Sequence, residues 1–316
     1  FSNRGYDIDW YYDLNTPPLS VGEGTDLLVP KYLEREMNIN HEDFIKLGGH
    51  YKQGIEKINW GKKPFTHWFG PSNISWHINA NKLQKHIINY IGSKVNIIEK
   101  KIEHKDIDNY IIDCSGTPSN VKELESAPIP VNNSYIVQCL WDKPRFSKTI
   151  CIAKSYGWVF LIPLQNRCSV GYLYNSSYVD IPHMEYEISY NGNASFFLEP
   201  MEATSLSTSI KVIEQTNKMF ADSTYIEQNN RYKNHLKETI DIIMLHYLVD
   251  PPIKNEFWEY ANHNANTWFS KRFKNYPKIR LISGGSSLHY STWFEESFKQ
   301  NIKGLNIQNK LDSFTW

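Results

Sequence analysis

Four runs in the middle of the chain decide the fold: residues 135–141 (YIVQCLW), 149–153 (TICIA), 157–163 (GWVFLIP) and 168–174 (CSVGYLY). Each is short and rich in β-branched and aromatic side chains, so Ser134 to Tyr174 reads as strand upon strand, punctuated by Pro163 and Gly171. Upstream, Tyr6–Tyr12 (YDIDWYY) reads as a buried strand. Asp26–Met37 reads as a helix that Thr25 or Asp26 can cap, with Pro30 near its first turn. Asn40–Gly48 has the look of a short helix and Tyr51–Trp60 (YKQGIEKINW) of an extended segment. Lys82–Ile91 places Leu83, Ile87 and Ile91 on one helical face, and Val95–Glu99 and Tyr110–Asp113 read as strands. After Pro200 the pattern turns helical over Leu206–Phe220, Tyr225–Leu248, Asn255–Lys274 and Thr292–Lys303. An α/β front half, a β-rich middle and a helical end make one interwoven domain or two that share a cleft. The boundary falls between an α/β module at 1–205 and a helical region at 206–316.

The chain has 316 residues, enough for an ample core, with 34 basic and 34 acidic side chains. That balance argues against nucleic-acid grooves or polybasic membrane binding as the main business, and no run of about 18 apolar residues suggests a membrane span. The four cysteines, Cys114, Cys139, Cys151 and Cys168, lie far apart with no CxxC. Neither a zinc ribbon nor a disulfide framework is indicated, no metal is called for, and a reducing cytoplasm fits best. Oligomeric state is left open, a homo-oligomer included. Ten Trp, 20 Tyr and 15 Phe fill a core or line a pocket for a flat ligand; composition does not choose between the two. A fold should not open on an unpaired strand, so the start at Phe1–Arg4 suggests that an element upstream of Tyr6–Tyr12 is missing.

Several local patterns carry chemistry. In Ser20-Val-Gly-Glu-Gly-Thr25, two glycines around a Glu let the backbone approach a ligand and offer N–H groups to it. Asp113-Cys-Ser-Gly116 ends a strand where α/β sheets bind nucleotides. Lys52 follows Tyr51 and precedes Gly54-Ile55 and Trp60; aromatic surroundings lower a lysine pKa, whereas a snorkelling surface lysine keeps its own. Residues 196–205 (FFLEPMEATS) set Glu199 and Glu202 amid apolar neighbours, with Thr204 and Ser205 offering donors to an anion. Asn191-Gly-Asn-Ala194 precedes them.

Taken together, these runs resemble the flavin-dependent halogenases of the tryptophan halogenase type. Ser20–Thr25 is similar to the family's glycine strap, and Tyr51-Lys52, Gly54-Ile55 and Trp60 to its lysine segment. Asp113–Gly116 matches its DCSG strand end. Gly157–Pro163 with Gly171-Tyr172 and Tyr174 matches GWxWxIP…GYVY, and Phe197–Thr204 matches FLEPLEST. Leu245-His-Tyr247 with Phe257-Trp258 matches LHY…FW. The order holds from about Pro17 to Trp258. Three departures stand out: Phe160 replaces the family's second Trp, residues 202–205 read Glu-Ala-Thr-Ser, and the chain is short and lacks the Gly-rich dinucleotide turn.

The resemblance implies an α/β FAD-binding monooxygenase-like fold, a Rossmann-type sheet plus a large antiparallel sheet, with a helical C-terminal part covering the substrate. It implies that FAD, reduced by a separate flavin reductase, acts with oxygen and a halide (chloride or bromide) to form hypohalous acid. Val21, Gly22, Glu23, Gly24, Thr25, Asp113, Gly116, Asn193 and Leu206 would neighbour FAD, and Thr204 and Ser205 the halide. Lys52 would relay the oxidised halogen, as a haloamine or by hydrogen bond, to a small electron-rich ring of indole or phenol type, with Glu202 assisting. Trp158, Phe160, Ile162 and Pro163 would keep substrate from the flavin, and Phe257, Trp258, Trp268 and Trp293 are candidate pocket walls. A flavin monooxygenase, or a flavoprotein without catalysis, are the alternatives.

Overall fold

The computed structural model describes residues 5–13, 15, 23–70, 73–101, 128–179, 199–222, 225–250, 253–274 and 295–314. In chain order the first elements are β1 (Asp9–Tyr12), β2 (Glu23–Gly24), α1 (Leu28–Met37), α2 (His41–Lys46), β3 (His50–Lys52), β4 (Gly54–Ile58), β5 (Phe65–Trp68), β6 (Ser75–Ile78), α3 (Ala80–Ile91) and β7 (Asn96–Glu99). Then come β8 (Asn133–Leu140), β9 (Lys148–Lys154), β10 (Gly157–Pro163), β11 (Arg167–Tyr174) and a 3-10 turn at Pro200–Glu202. Helices follow: α4 (Thr204–Asp222), α5 (Tyr225–Tyr247), α6 (Glu256–Lys274), α7 (Glu295–Leu305) and α8 (Gln308–Ser313). The fold is α/β, with a helical C-terminal part.

The mid-chain strands form the antiparallel run β9-β10-β11-β8, and β4, paired in parallel with β9, extends it through β5 to six strands. In β10, Trp158, Phe160 and Ile162 are buried and share the inward period-two face. β1 and β7 pair in parallel, as a Rossmann-type sheet requires. β1 is shorter than expected and not buried: Asp9 is exposed, and Trp10, Tyr11 and Tyr12 are all half-buried. A third sheet, β2-β6-β3, was not apparent in the sequence. The expected single extension over 51–60 is two strands. It breaks at Gln53, whose N–H leaves the ladder for the Ser147 carbonyl at 2.8 Å.

Two helix starts follow from their caps. Asp26 Oδ1 accepts from the N–H groups of Leu28 (2.9 Å) and Val29 (3.3 Å), and Asn40 and Asp43 form a reciprocal capping box on α2. One core packs α1, α2 and α3 on the small sheet, with Phe44 stacked on Trp76 at 3.9 Å. The larger core joins the six-stranded sheet to α5, α6 and α7. No helix among the described residues is long and apolar enough to cross a membrane.

Candidate active site

Lys52 closes β3 opposite Ser75 of β6 and is 1% exposed. Its Nζ donates to the Thr25 carbonyl at 2.9 Å and lies 5.3 Å from the Phe69 ring centroid. Thr25 is itself stitched to β6: its N–H donates to the Trp76 carbonyl (2.8 Å), and its hydroxyl meets Ser75 Oγ (2.5 Å) and the Trp76 N–H (3.1 Å). The strap is therefore held by backbone and hydroxyl bonds while Gly24 stays bare. A Cβ on Gly24 would stand 3.2 Å from Lys52 Nζ, 3.5 Å from Thr149 Oγ1 and 3.6 Å from the Ala203 Cβ. Strap, lysine and the turn after Glu202 thus meet at one junction. Burial lowers the Lys52 pKa to about 8; Glu202 and Asp26 pull it back up, and Lys57 presses it down.

The turn at Pro200–Glu202 passes through Ala203 in the left-handed region (φ 57°) into α4, and this bend swings Glu202 into the interior, where it is 1% exposed. Its Oε1 accepts from Lys57 Nζ, its Oε2 lies 3.3 Å from His67 Nδ1, and His246 Nε2 is 3.3 Å from Oε1. Burial alone would raise the Glu202 carboxyl, but Lys57 and then His67 outweigh it and hold it well below the usual carboxylate range. Lys57 also contacts His246 Nε2 and donates to Asn301 Oδ1 at 3.2 Å. His246 Nδ1 sits 2.9 Å from the Ile242 carbonyl, and burial, with Lys57, pushes its pKa down to about 3, so the ring is neutral. The sequence led to Lys52 and Glu202 as partners. The structure brings both to one junction, yet the ammonium bonded to the carboxylate is that of Lys57. No carboxylate among the described residues comes within 4 Å of Lys52.

Beside them, Glu199 is 2% exposed and accepts from Tyr247 Oη (2.5 Å) and Trp158 Nε1 (3.4 Å). Burial raises its pKa to about 8, against the pull of those two donors. Trp158, Phe160 and Ile162 are packed in the larger core, and Pro163 ends β10. Trp60 packs edge-on to Trp158, His246, Tyr247 and Trp258, with centroids 5.5–6.2 Å apart. Phe257 and Trp258 are thus core residues rather than open pocket walls, while Trp268 Nε1 bonds Asp241 at 2.8 Å. Thr204 begins α4 and is 4% exposed, and Leu206 packs on the small-sheet core.

Two features of the strap suit a bound flavin. Glu23, raised to about 7 by burial, leaves its Oε2 buried without a partner among the described residues, and Gly24 adds no side chain where Lys52, Thr149 and Ala203 converge. Val21, Gly22, Asp113, Gly116, Asn193 and Trp293, the strand expected at Tyr110–Asp113 and the side chain of Ser205 lie outside the described residues. Sequence reasoning passed over Lys57, His67 and Asn301. For Lys57 a signal existed: with Ile55 it occupies the buried face of β4, where alternation calls for an apolar residue.

A tryptophan halogenase family model matches residues 80–191 and 188–310 of the chain. No curated protein sequence matches. Among solved structures, a flavin-dependent halogenase from Brevundimonas sp. BAL3, BrvH, superposes with a TM-score of 0.74 at 18% identity, covering 97% of this chain and 87% of that one. A tryptophan halogenase from Shewanella frigidimarina NCIMB 400 gives 0.74 at 20% identity, with 98% and 86% covered. MibH, described as a lanthipeptide tryptophan 5-halogenase, gives 0.77 at 13%, with 97% and 82% covered. At these identities the likeness establishes a shared fold, that of the FAD-binding halogenases.

Proposed function

The chain belongs to the tryptophan halogenase family, enzymes that depend on reduced flavin, and from that premise we propose that it halogenates an electron-rich aromatic ring by way of Lys52. The observation that carries this reading is a buried amine of lowered pKa where the glycine strap meets the turn after Glu202. Glu23, Gly24 and Thr25, with Val21, Gly22, Asp113, Gly116, Asn193 and Leu206, would hold FAD. When bound in reduced form, with oxygen, halide and a proton, it supplies hypohalous acid and water. Thr204 and Ser205, at the start of α4, offer N–H groups for the halide.

At Lys52 the neutral amine displaces water from hypohalous acid: an N–X bond forms as the X–O bond breaks, and the proton leaves with hydroxide as water. The ring then takes X from nitrogen and returns its displaced proton to the amine. If the amine stays protonated, it instead hydrogen-bonds the hypohalous acid and aims it. Glu202 supplies negative charge beside the developing cationic ring. Trp158, with Phe160, Ile162 and Pro163, walls the ring off from the flavin, and the helices after residue 206 cover the substrate. The substrate class is a small indole or phenol, the halide chloride or bromide, and a separate reductase delivers the reduced flavin. The test is Lys52→Met in a reaction with reduced FAD, halide and an indole and phenol panel. Loss of halogenated product with unchanged flavin reoxidation supports the role, and equal product from the variant overturns it.

A further inference from the structure

Lys57 is a buried cation that the chemistry above does not use. Its side chain is 0% exposed, and an ammonium has three N–H donors. Three acceptors surround it: Glu202 Oε1, His246 Nε2 and Asn301 Oδ1. His246 can serve as acceptor because its other nitrogen, Nδ1, faces the Ile242 carbonyl and so carries the proton. The orientation of the His246 ring and the three acceptors around Lys57 Nζ are thus mutually consistent.

Lys52 is placed differently. Its one carbonyl partner is the neutral Thr25 oxygen. The titratable groups that act on it come from five directions: Glu202 from the turn, Asp26 ahead of α1, Cys151 of β9, Lys57 of β4 and His77 of β6. Burial keeps the Cys151 thiol and the His77 ring neutral. That leaves Glu202 as the strongest attraction for the Lys52 proton, and Lys57 is bonded to it.

We propose that Lys57 is a positioning residue for this site: its ammonium occupies and orients Glu202, so that the Lys52 amine is left without a carboxylate partner. This rests on the assignment of Lys52 as the halogen-handling group. Of the two routes open to Lys52, the arrangement favours the neutral amine, because a free carboxylate beside it would hold the proton on.

The test follows the Lys52 amine directly by NMR in protein carrying 13C-labelled lysine, with the resonance assigned by its loss in Lys52→Met. In Lys57→Met, the Lys52 titration midpoint should rise by about one pH unit or more, and the pH at which halogenation switches on should rise with it. In Lys57→Met/Glu202→Gln, where both charges are gone and folding is safer, the rise should vanish, leaving the midpoint at or below that of the parent protein. An unchanged midpoint in the single variant overturns the proposal. So does a midpoint in the double variant as high as in Lys57→Met, since the rise would then not pass through Glu202. If Lys52→Met still halogenates, the assignment of Lys52 fails, yet the titration still decides whether Lys57 controls the Glu202 charge.

Discussion

On the proposed neutral-amine route, the lowered pKa of Lys52 should make the rate of halogenation a steep function of pH. An ordinary lysine at 10.5 holds about 0.03% of its amine neutral at pH 7, whereas a midpoint of about 8 holds about 9%, a gain of about 300-fold. Raising the pH from 6.5 to 8.5 carries the neutral share from about 3% to about 76%, so the halogen-transfer step should quicken about 25-fold and level off above pH 9. The assay is single turnover: enzyme with pre-reduced FAD and substrate is mixed with oxygen and halide, quenched at intervals, and product is quantified by mass. Flavin reoxidation in the same mixture corrects for pH effects on the earlier step. A corrected rate that stays flat across this range, or falls, would refute the neutral-amine route and leave hydrogen-bonded hypohalous acid in its place.

Two further outcomes test the frame of the site. Gly171 faces Phe160 across the β10–β11 pair, and a Cβ there would fall 2.1 Å from the Phe160 ring; Gly171→Ala should cost about 1–3 kcal/mol or more, and a denaturant series should show most of that loss recovered when Phe160→Leu is added. Glu199, raised from 4.5 to about 8, contributes stability that is full below its unfolded value and is lost as pH rises through 8. Glu199→Gln should therefore have the flatter stability between pH 4.5 and 8, and thermal melts at half-unit steps will show parallel curves if the carboxyl is not forced to ionise.

Strands β9 and β10 and helices α6 and α7 were legible because each buries one face, which leaves a period of two or 3.6 in the sequence, whereas β8, with no buried residue, was read from its β-branched and aromatic content. Ser75–Ile78 was not, because all four residues are buried and no alternation survives. The Gln53 break was hidden in the same way, since it depends on a carbonyl at Ser147 that spacing does not reveal. Lys52 and Glu202 were singled out through the motifs around them, and both are buried at one junction. The Lys57–Glu202 and Lys57–His246 contacts span 145 and 189 positions, and a lysine in a strand ordinarily reads as an outward side chain. Alternation with Ile55 is the one hint that this one turns inward, and only the chain's path shows what it meets there.

The indole of Trp60, wedged at the end of β4, touches a ring from β10, two side chains of α5 and one of α6 at once. It acts as a rivet through the layers. Helices fastened to the sheet by a shared bolt cannot peel away singly, so melting of this side of the molecule should be a concerted event, and its onset should be reported by a red shift of indole fluorescence as this ring first meets water.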